Sequence, residues 1–260
     1  MFIKEITSRT NPLIVQTASL LSTKGRKKQN NFLFEGIKLF NEAVDSNVEI
    51  EYIFITEENV CVIDEKLPNT SVKVYIIPKN CFEKISSEKA PQGIICVAKL
   101  PKLQSIDKCD TNIPTLILSD IQDAGNLGTI IRTAKALFQS NIILTGACAD
   151  VYGHKCIRAS MGAVFKQNVY VEPDFERIVN YFHSKGKNVC AAALKSNSKS
   201  ILDFDISESA VVLGNEGHGL SDKQISLCDP IIIPMSGMES LNVSSAASIV
   251  LWEMARGILK

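Results

Sequence analysis

The stretch TLILSDIQDAGNLGTIIRTAKALF, residues 115–138, decides how this chain folds. It opens with an uninterrupted apolar, β-prone run and breaks into a polar turn containing Asp120, Asp123 and Asn126. Apolar residues then recur at Leu127, Ile130, Ile131 and Ala134, the spacing of one helix face. A buried strand feeding an amphipathic helix is the opening of a βαβ unit. Downstream the pattern repeats: NIILTG then HKCIRASMGAVF, NVYVEP then DFERIVNYFHSKG, NVCAAAL, AVVLGNEG then LSDKQISLC, and IIIPM then a C-terminal helix over about 240–260. Continuous apolar strands alternating with helices indicate an α/β domain with a parallel sheet covered on both faces. Ligands of such sheets bind beyond the carboxyl ends of the strands.

Upstream, AKLPKLQSIDKCDTNIP (98–114) has mixed charge, two prolines and no sustained period, which reads as a connection. We therefore expect a domain over 1–105, a linker over 106–113 and a second domain over 114–260. In the first, EYIFIT, VKVYIIP and GIICVAK are strand-like, and NFLFEGIKLFNEAVDS passes from extended to helical spacing. This is a smaller N-terminal α/β domain. Its basic cluster KGRKK contains Lys24, Arg26, Lys27 and Lys28. Clustered cations beside a polar loop can displace counterions from RNA, or can be a solvated helix end.

The 260 residues carry no net charge, 45% are hydrophobic and 22% charged, the balance of a soluble globular protein without global basicity. The N-terminal MFIKEITSRTNPLIVQTASLL lacks the apolar core and cleavage site of a secretory signal, and nothing approaches the roughly 18 apolar residues of a membrane span. The expectation is a cytoplasmic protein with no membrane partner. Eight cysteines without a CxxC pair suggest reduced, packed thiols and no metal.

Three clusters fall at strand ends. In LSDIQDAGNLGTIIRTA, Asn126 can cap the following helix and Arg132 lies within it; ordinary capping and a surface arginine explain the same residues. In LGNEGHGLS the glycines invert the dinucleotide fingerprint, and no lysine follows as in a phosphate loop. A carboxylate at Glu216 would repel a pyrophosphate, so the turn suits a cationic ligand or the orientation of a hydroxyl or guanidinium. His218 is a loop hydrogen-bonder or a base. In IIIPMSGMESLNVSSAASIVLWEMA, Pro234 ends the strand, Gly237 turns, and Ser240 and Asn242 start a helix rich in small residues.

In order, DIQDAGNLGTIIRTA, LGNEGHGLS and IPMSGMESLNVSSA resemble the three motifs of the SpoU (TrmH) family of RNA ribose 2′-O-methyltransferases in the SPOUT superfamily, with RASMGAVF in support. The likeness spans residues 115–260; Ala124 stands where that family usually has proline. The first half, through ITSRTNPLI, KGRKK and FLFEGIKLFNEA, is similar to the L7Ae/L30e-like substrate-binding module.

The resemblance implies a deep trefoil knot in the C-terminal domain, S-adenosylmethionine as cofactor, a homodimer through the knotted domain and RNA as substrate. It implies cofactor contacts at Leu213, Gly214, Asn215, Gly217, Ile233, Met235 and Leu241, and catalytic or substrate-placing roles for Asn126, Arg132, Glu216, Ser240 and Asn242. Lys155 and Arg158 join the N-terminal cations as expected RNA contacts. An accessory domain before the knot favours 23S rRNA over tRNA. The other readings are a non-catalytic RNA-binding or ribosome-assembly factor, which the intact polar residues oppose, and a nucleotide-binding oxidoreductase, which the glycine spacing opposes.

Overall fold

The computed structural model describes residues 2–67, 71–236 and 240–256. Gly237, read above as a turn, lies outside the described residues. The chain divides into two compact units.

The first unit comprises 1–101 with 150–166. Its mixed sheet is ordered β1 (Phe2–Glu5), β4 (Lys73–Ile76), β3 (Ile50–Ile55), β5 (Ile94–Lys99), β2 (Asn31–Glu35). Strand β5 runs antiparallel to both β3 and β2. Helices α1 (Pro12–Ser19), α2 (Thr23–Gln29), α3 (Ile37–Asp45), α4 (Val60–Lys66) and α5 (Lys79–Ile85) connect them. Alternate residues of a strand face opposite ways. Leu33, Tyr52, Phe54, Ile95 and Val97 accordingly pack with Ile14 of α1 and with Phe82 and Ile85 of α5 in one core. Strand β1 was not expected, because a short run ending in Lys4 and Glu5 carries no apolar signal.

The second unit comprises 102–149 with 167–260. Its seven strands are all parallel: β6 (Thr115–Ser119), β7 (Asn141–Thr145), β8 (Asn168–Val171), β9 (Val189–Ala192), β10 (Lys199–Ser200), β11 (Ala210–Leu213) and β12 (Asp229–Ile232). Their spatial order is β10-β12-β9-β11-β6-β7-β8. The chain leaves β6 toward β8 and later returns to β11 on the other flank of β6, so β6 and β11 are adjacent at the point where the winding reverses. The crevice outside their carboxyl ends is the favoured ligand site of such a sheet. Ile117, Ile143, Val212 and Ala210 bury one sheet face with Ile178 and Phe182, each fully buried Ile or Phe contributing about 1.5–3 kcal/mol. The stretch read as a linker takes part, since Ile106 and Cys109 belong to this core and Ala98–Lys99 to β5.

Helix α6 (Ala124–Leu137) follows β6, and α7 (His154–Ala159) lies in segment 150–166, which packs within the first unit although the chain on both sides of it belongs to the second. Phe32 and Phe34 of β2 explain this, since their rings lie 5.1–6.2 Å from those of Tyr152 and Phe165. Helices α8 (Phe175–Ser184), α9 (Asp222–Ser226) and α10 (Val243–Ala255) complete the second unit, with α10 packed against α6. All eight cysteines are free; burial pushes the Cys156 thiol up to about 12. Among the described residues, no helix is long and apolar enough to cross a membrane, and no cluster of His, Cys, Asp or Glu could hold a metal.

Candidate active site

Strand β6 is followed by Asp120, which adopts a left-handed backbone (φ 58°). Its Oδ1 accepts from the Ala147 amide at 2.7 Å, and its carbonyl accepts from Asn215 Nδ2 at 2.9 Å. The turn after β6 is thereby tied to the turn after β11. Asn215 closes its own loop as well: Oδ1 accepts from the amides of Gly217 (2.8 Å) and His218 (3.3 Å), and its carbonyl from Gly219 N. Gly214 has no room for a side chain, because a Cβ there would lie 2.5 Å from the Gly219 carbonyl carbon.

Helix α6 is capped by Asp123, not by Asn126: Asp123 Oδ1 accepts from the Asn126 amide at 2.7 Å. An aspartate at the N-cap satisfies a helix-start N–H and leaves the Asn126 side chain available. Asn126 Nδ2 donates to Glu216 Oε1 at 3.0 Å, and Asn126 Oδ1 accepts from Asn242 Nδ2 at 3.2 Å. Asn242 is the N-cap of α10, with Oδ1 accepting from the Ser244 amide and hydroxyl. Two helix starts and one glycine turn thus meet in an Asn242–Asn126–Glu216 chain of hydrogen bonds.

Beside this chain lies a cavity of about 420 Å³, within the usual range for small-molecule sites. Its wall includes Gly214, Asn215, Glu216, Gly217, Ile233, Met235, Ser240 and Leu241. Leu213 does not line it: it is buried in β11, paired with Leu118. Arg132 is exposed, and its guanidinium forms no hydrogen bond or ion pair among the described residues. The sequence reading missed the stretch Ala192–Lys195, at the carboxyl end of β9, which also lines the cavity. The strand-end rule applied to NVCAAAL would have found it.

Of the cations expected on RNA, Lys24, Lys27, Lys28 and Lys155 are exposed. Arg158 pairs with Glu88. Arg26 corrects the expectation. It is 4% exposed. Its Nε and Nη2 donate to Asp150 Oδ2 at 2.9 and 2.7 Å, Nη1 to the Leu20 and Leu21 carbonyls, and Nη2 also to Thr23 Oγ1. A guanidinium has five N–H groups, and the protein uses all of them.

A model of the SpoU rRNA methylase family matches residues 114–252, more than half of the chain. The chain belongs to the SpoU rRNA methylase family. Ahead of the SpoU region, residues 11–96 match the MRM3-like substrate binding domain. The 23S rRNA (guanosine(2553)-2′-O)-methyltransferase RlmP of Bacillus subtilis is 31% identical to this SpoU protein over 254 residues, covering 96% of this chain and 99% of that one. The 23S rRNA (uridine(2479)-2′-O)-methyltransferase of Streptomyces viridochromogenes is 27% identical, covering 97% and 92%. The crystal structure of an AdoMet-bound rRNA methyltransferase from Sinorhizobium meliloti superposes with a TM-score of 0.88 at 28% identity, covering 99% of each chain.

Proposed function

We propose that this SpoU protein transfers the methyl group of S-adenosylmethionine to a ribose 2′-hydroxyl of 23S rRNA. The observation that carries the reading is Glu216, which lines the cavity and also accepts from Asn126, so one carboxylate joins the ligand site to the amide chain. The substrate class rests on the two 23S rRNA relatives.

The cavity fits the cofactor. Leu194 and Leu241 line it while 57% and 40% exposed, apolar surface that a purine ring would cover. Its one cation, Lys195, is paired with Asp222, and Glu216 complements a sulfonium. Bound S-adenosylmethionine supplies an electrophilic methyl group.

The chain's own residues align the nucleophile. Asn126 and Asn242 fix Glu216, whose free acceptor sites orient the ribose hydroxyl and take up its proton as the oxygen gains the methyl group and S-adenosylhomocysteine leaves. Orientation of this kind can supply roughly 7–11 kcal/mol. A guanidinium stays protonated at all working pH values. Arg132 therefore serves as a clamp on a substrate phosphate and a stabiliser of charge on the attacking oxygen, not as the base. Lys24, Lys27, Lys28 and Lys155 hold the RNA backbone. A second copy covers Ile249 and Trp252, 40% and 54% exposed on successive turns of α10, and the knot belongs to the same reading, as does residence in the cytoplasm with the ribosome.

The test is transfer of labelled methyl from S-adenosylmethionine to undermethylated 23S rRNA and, separately, to tRNA, with Asn126→Ala as control. Label at one ribose 2′-oxygen of 23S rRNA, lost in the variant, is expected. Label in tRNA alone overturns the substrate; no label in either overturns the activity.

A further inference from the structure

The first unit holds a second cavity, about 260 Å³, which methyl transfer does not use. Phe34, Leu39 and Met161 give it apolar walls, and Glu35, Glu88 and His154 bring polar atoms to it. Most of these residues fall within the MRM3-like match, and α7 of the SpoU match closes the cavity inside the same unit.

Two of its polar groups keep unused hydrogen-bonding capacity. The Glu35 oxygens each accept one bond, from Ser86 Oγ at 3.1 Å and the Ser87 amide at 3.3 Å, which leaves further acceptor capacity on both. His154 Nδ1 is buried with no hydrogen-bond partner. An orphaned buried nitrogen costs about 1–3 kcal/mol unless a ligand or water meets it. Burial, followed by the charges of Arg26, Lys155 and Arg158, holds the His154 pKa below its ordinary value, so the ring is neutral at pH 7. At the exposed edge, among the described residues, Lys38 forms no ion pair and Arg158 pairs with Glu88 alone, a partner that a phosphate can replace.

Apolar walls, a two-oxygen acceptor and cations at the rim match a nucleotide better than a peptide or a metal. We propose that this cavity receives one unstacked base of the RNA substrate, read by Glu35 through two adjacent N–H donors, with that nucleotide's phosphate on Lys38 and Arg158. Guanine, with N1–H beside its N2 amino group, is the RNA base that offers such a pair, and single-stranded bases are the usual targets of RNA readout. The inference rests on the methyl-transfer reading for the identity of the RNA, not for the existence of the site.

The experiment has two arms. In the first, the full chain, its other cavity saturated with S-adenosylhomocysteine, is titrated with GMP, AMP, CMP and UMP while the His154 ring signals are followed by NMR. GMP shifts these signals and UMP does not, and Glu35→Gln weakens GMP by at least about fivefold, the lower end for a good bidentate base contact. Equal shifts from all four nucleotides, or none, overturn the proposal. In the second arm, methylation of 23S rRNA by Glu35→Gln shows a raised KM with kcat and S-adenosylmethionine affinity unchanged. GMP binding without a KM change identifies a free-nucleotide site and overturns the RNA assignment. Should the wild type methylate nothing, the activity reading fails while the first arm still decides the cavity.

Discussion

Arg26→Met removes a charge that the sequence suggests for RNA and the structure uses internally. The guanidinium donates five hydrogen bonds, two of them to Asp150 Oδ2, and its side chain is 5% exposed against 27% for Asp150. Breaking a buried pair by deleting one partner costs about 3–5 kcal/mol. Water reaches part of Asp150, so the expected loss is about 2–3 kcal/mol, a fall of at least about 5 °C in melting temperature. The Tyr152 amide still bonds Asp150 Oδ1, which keeps the penalty from the upper end. RNA affinity separates the two roles. Each phosphate contact contributes about 0.7–0.9 to the slope of log affinity against log salt. Arg26→Met should leave that slope unchanged, Asp150→Asn should destabilise in the same way, and Lys27→Gln should lower the slope at unaltered stability. A reduced slope for Arg26→Met with an unchanged melting temperature would refute the reasoning.

Gly214→Ala forces a Cβ to 2.5 Å from the Gly219 carbonyl carbon, so the loop must move; S-adenosylmethionine affinity, read by calorimetry, should fall at least about tenfold, on the order of 1.4 kcal/mol, and an unchanged Kd removes the loop from the site. Arg132→Lys keeps the charge but loses the planar fork; kcat for rRNA methylation should drop about 100-fold with cofactor Kd intact, and near-normal turnover would refute the clamp. Burial raises the Glu35 pKa above its ordinary value, so the folded state is favoured while the group is protonated and loses that advantage as pH climbs from below 4.5 through the raised value. Denaturant melts of Glu35→Gln should therefore show less loss of stability over that window and a more stable protein at pH 7.

Local chemistry was legible where neighbours in sequence supply it. The apolar runs of TLILSD and NIILTG specify strands whatever surrounds them, and both appear as fully buried parallel neighbours. The capping residue was not legible: DAGN offers two good caps, and only packing against the turn after β11 selects Asp123 and frees Asn126 for Glu216, 90 residues away. Ala192–Lys195 was missed because Ala-Ala-Leu reads as plain strand and Lys195 as a surface charge; it lines the cavity once β9 is placed beside β11.

The sequence by itself determined the strand–helix alternation, the parallel sheet and the polar residues gathered at strand ends, because periodicity and turn chemistry act over a few residues. The tertiary structure decided what each charge does. KGRKK reads as four equivalent cations, yet Arg26 folds inward onto Asp150, 124 residues distant, while its three lysines stay in water. Burial, which separates a structural ion pair from a surface charge, is set by contacts between segments that the sequence does not order.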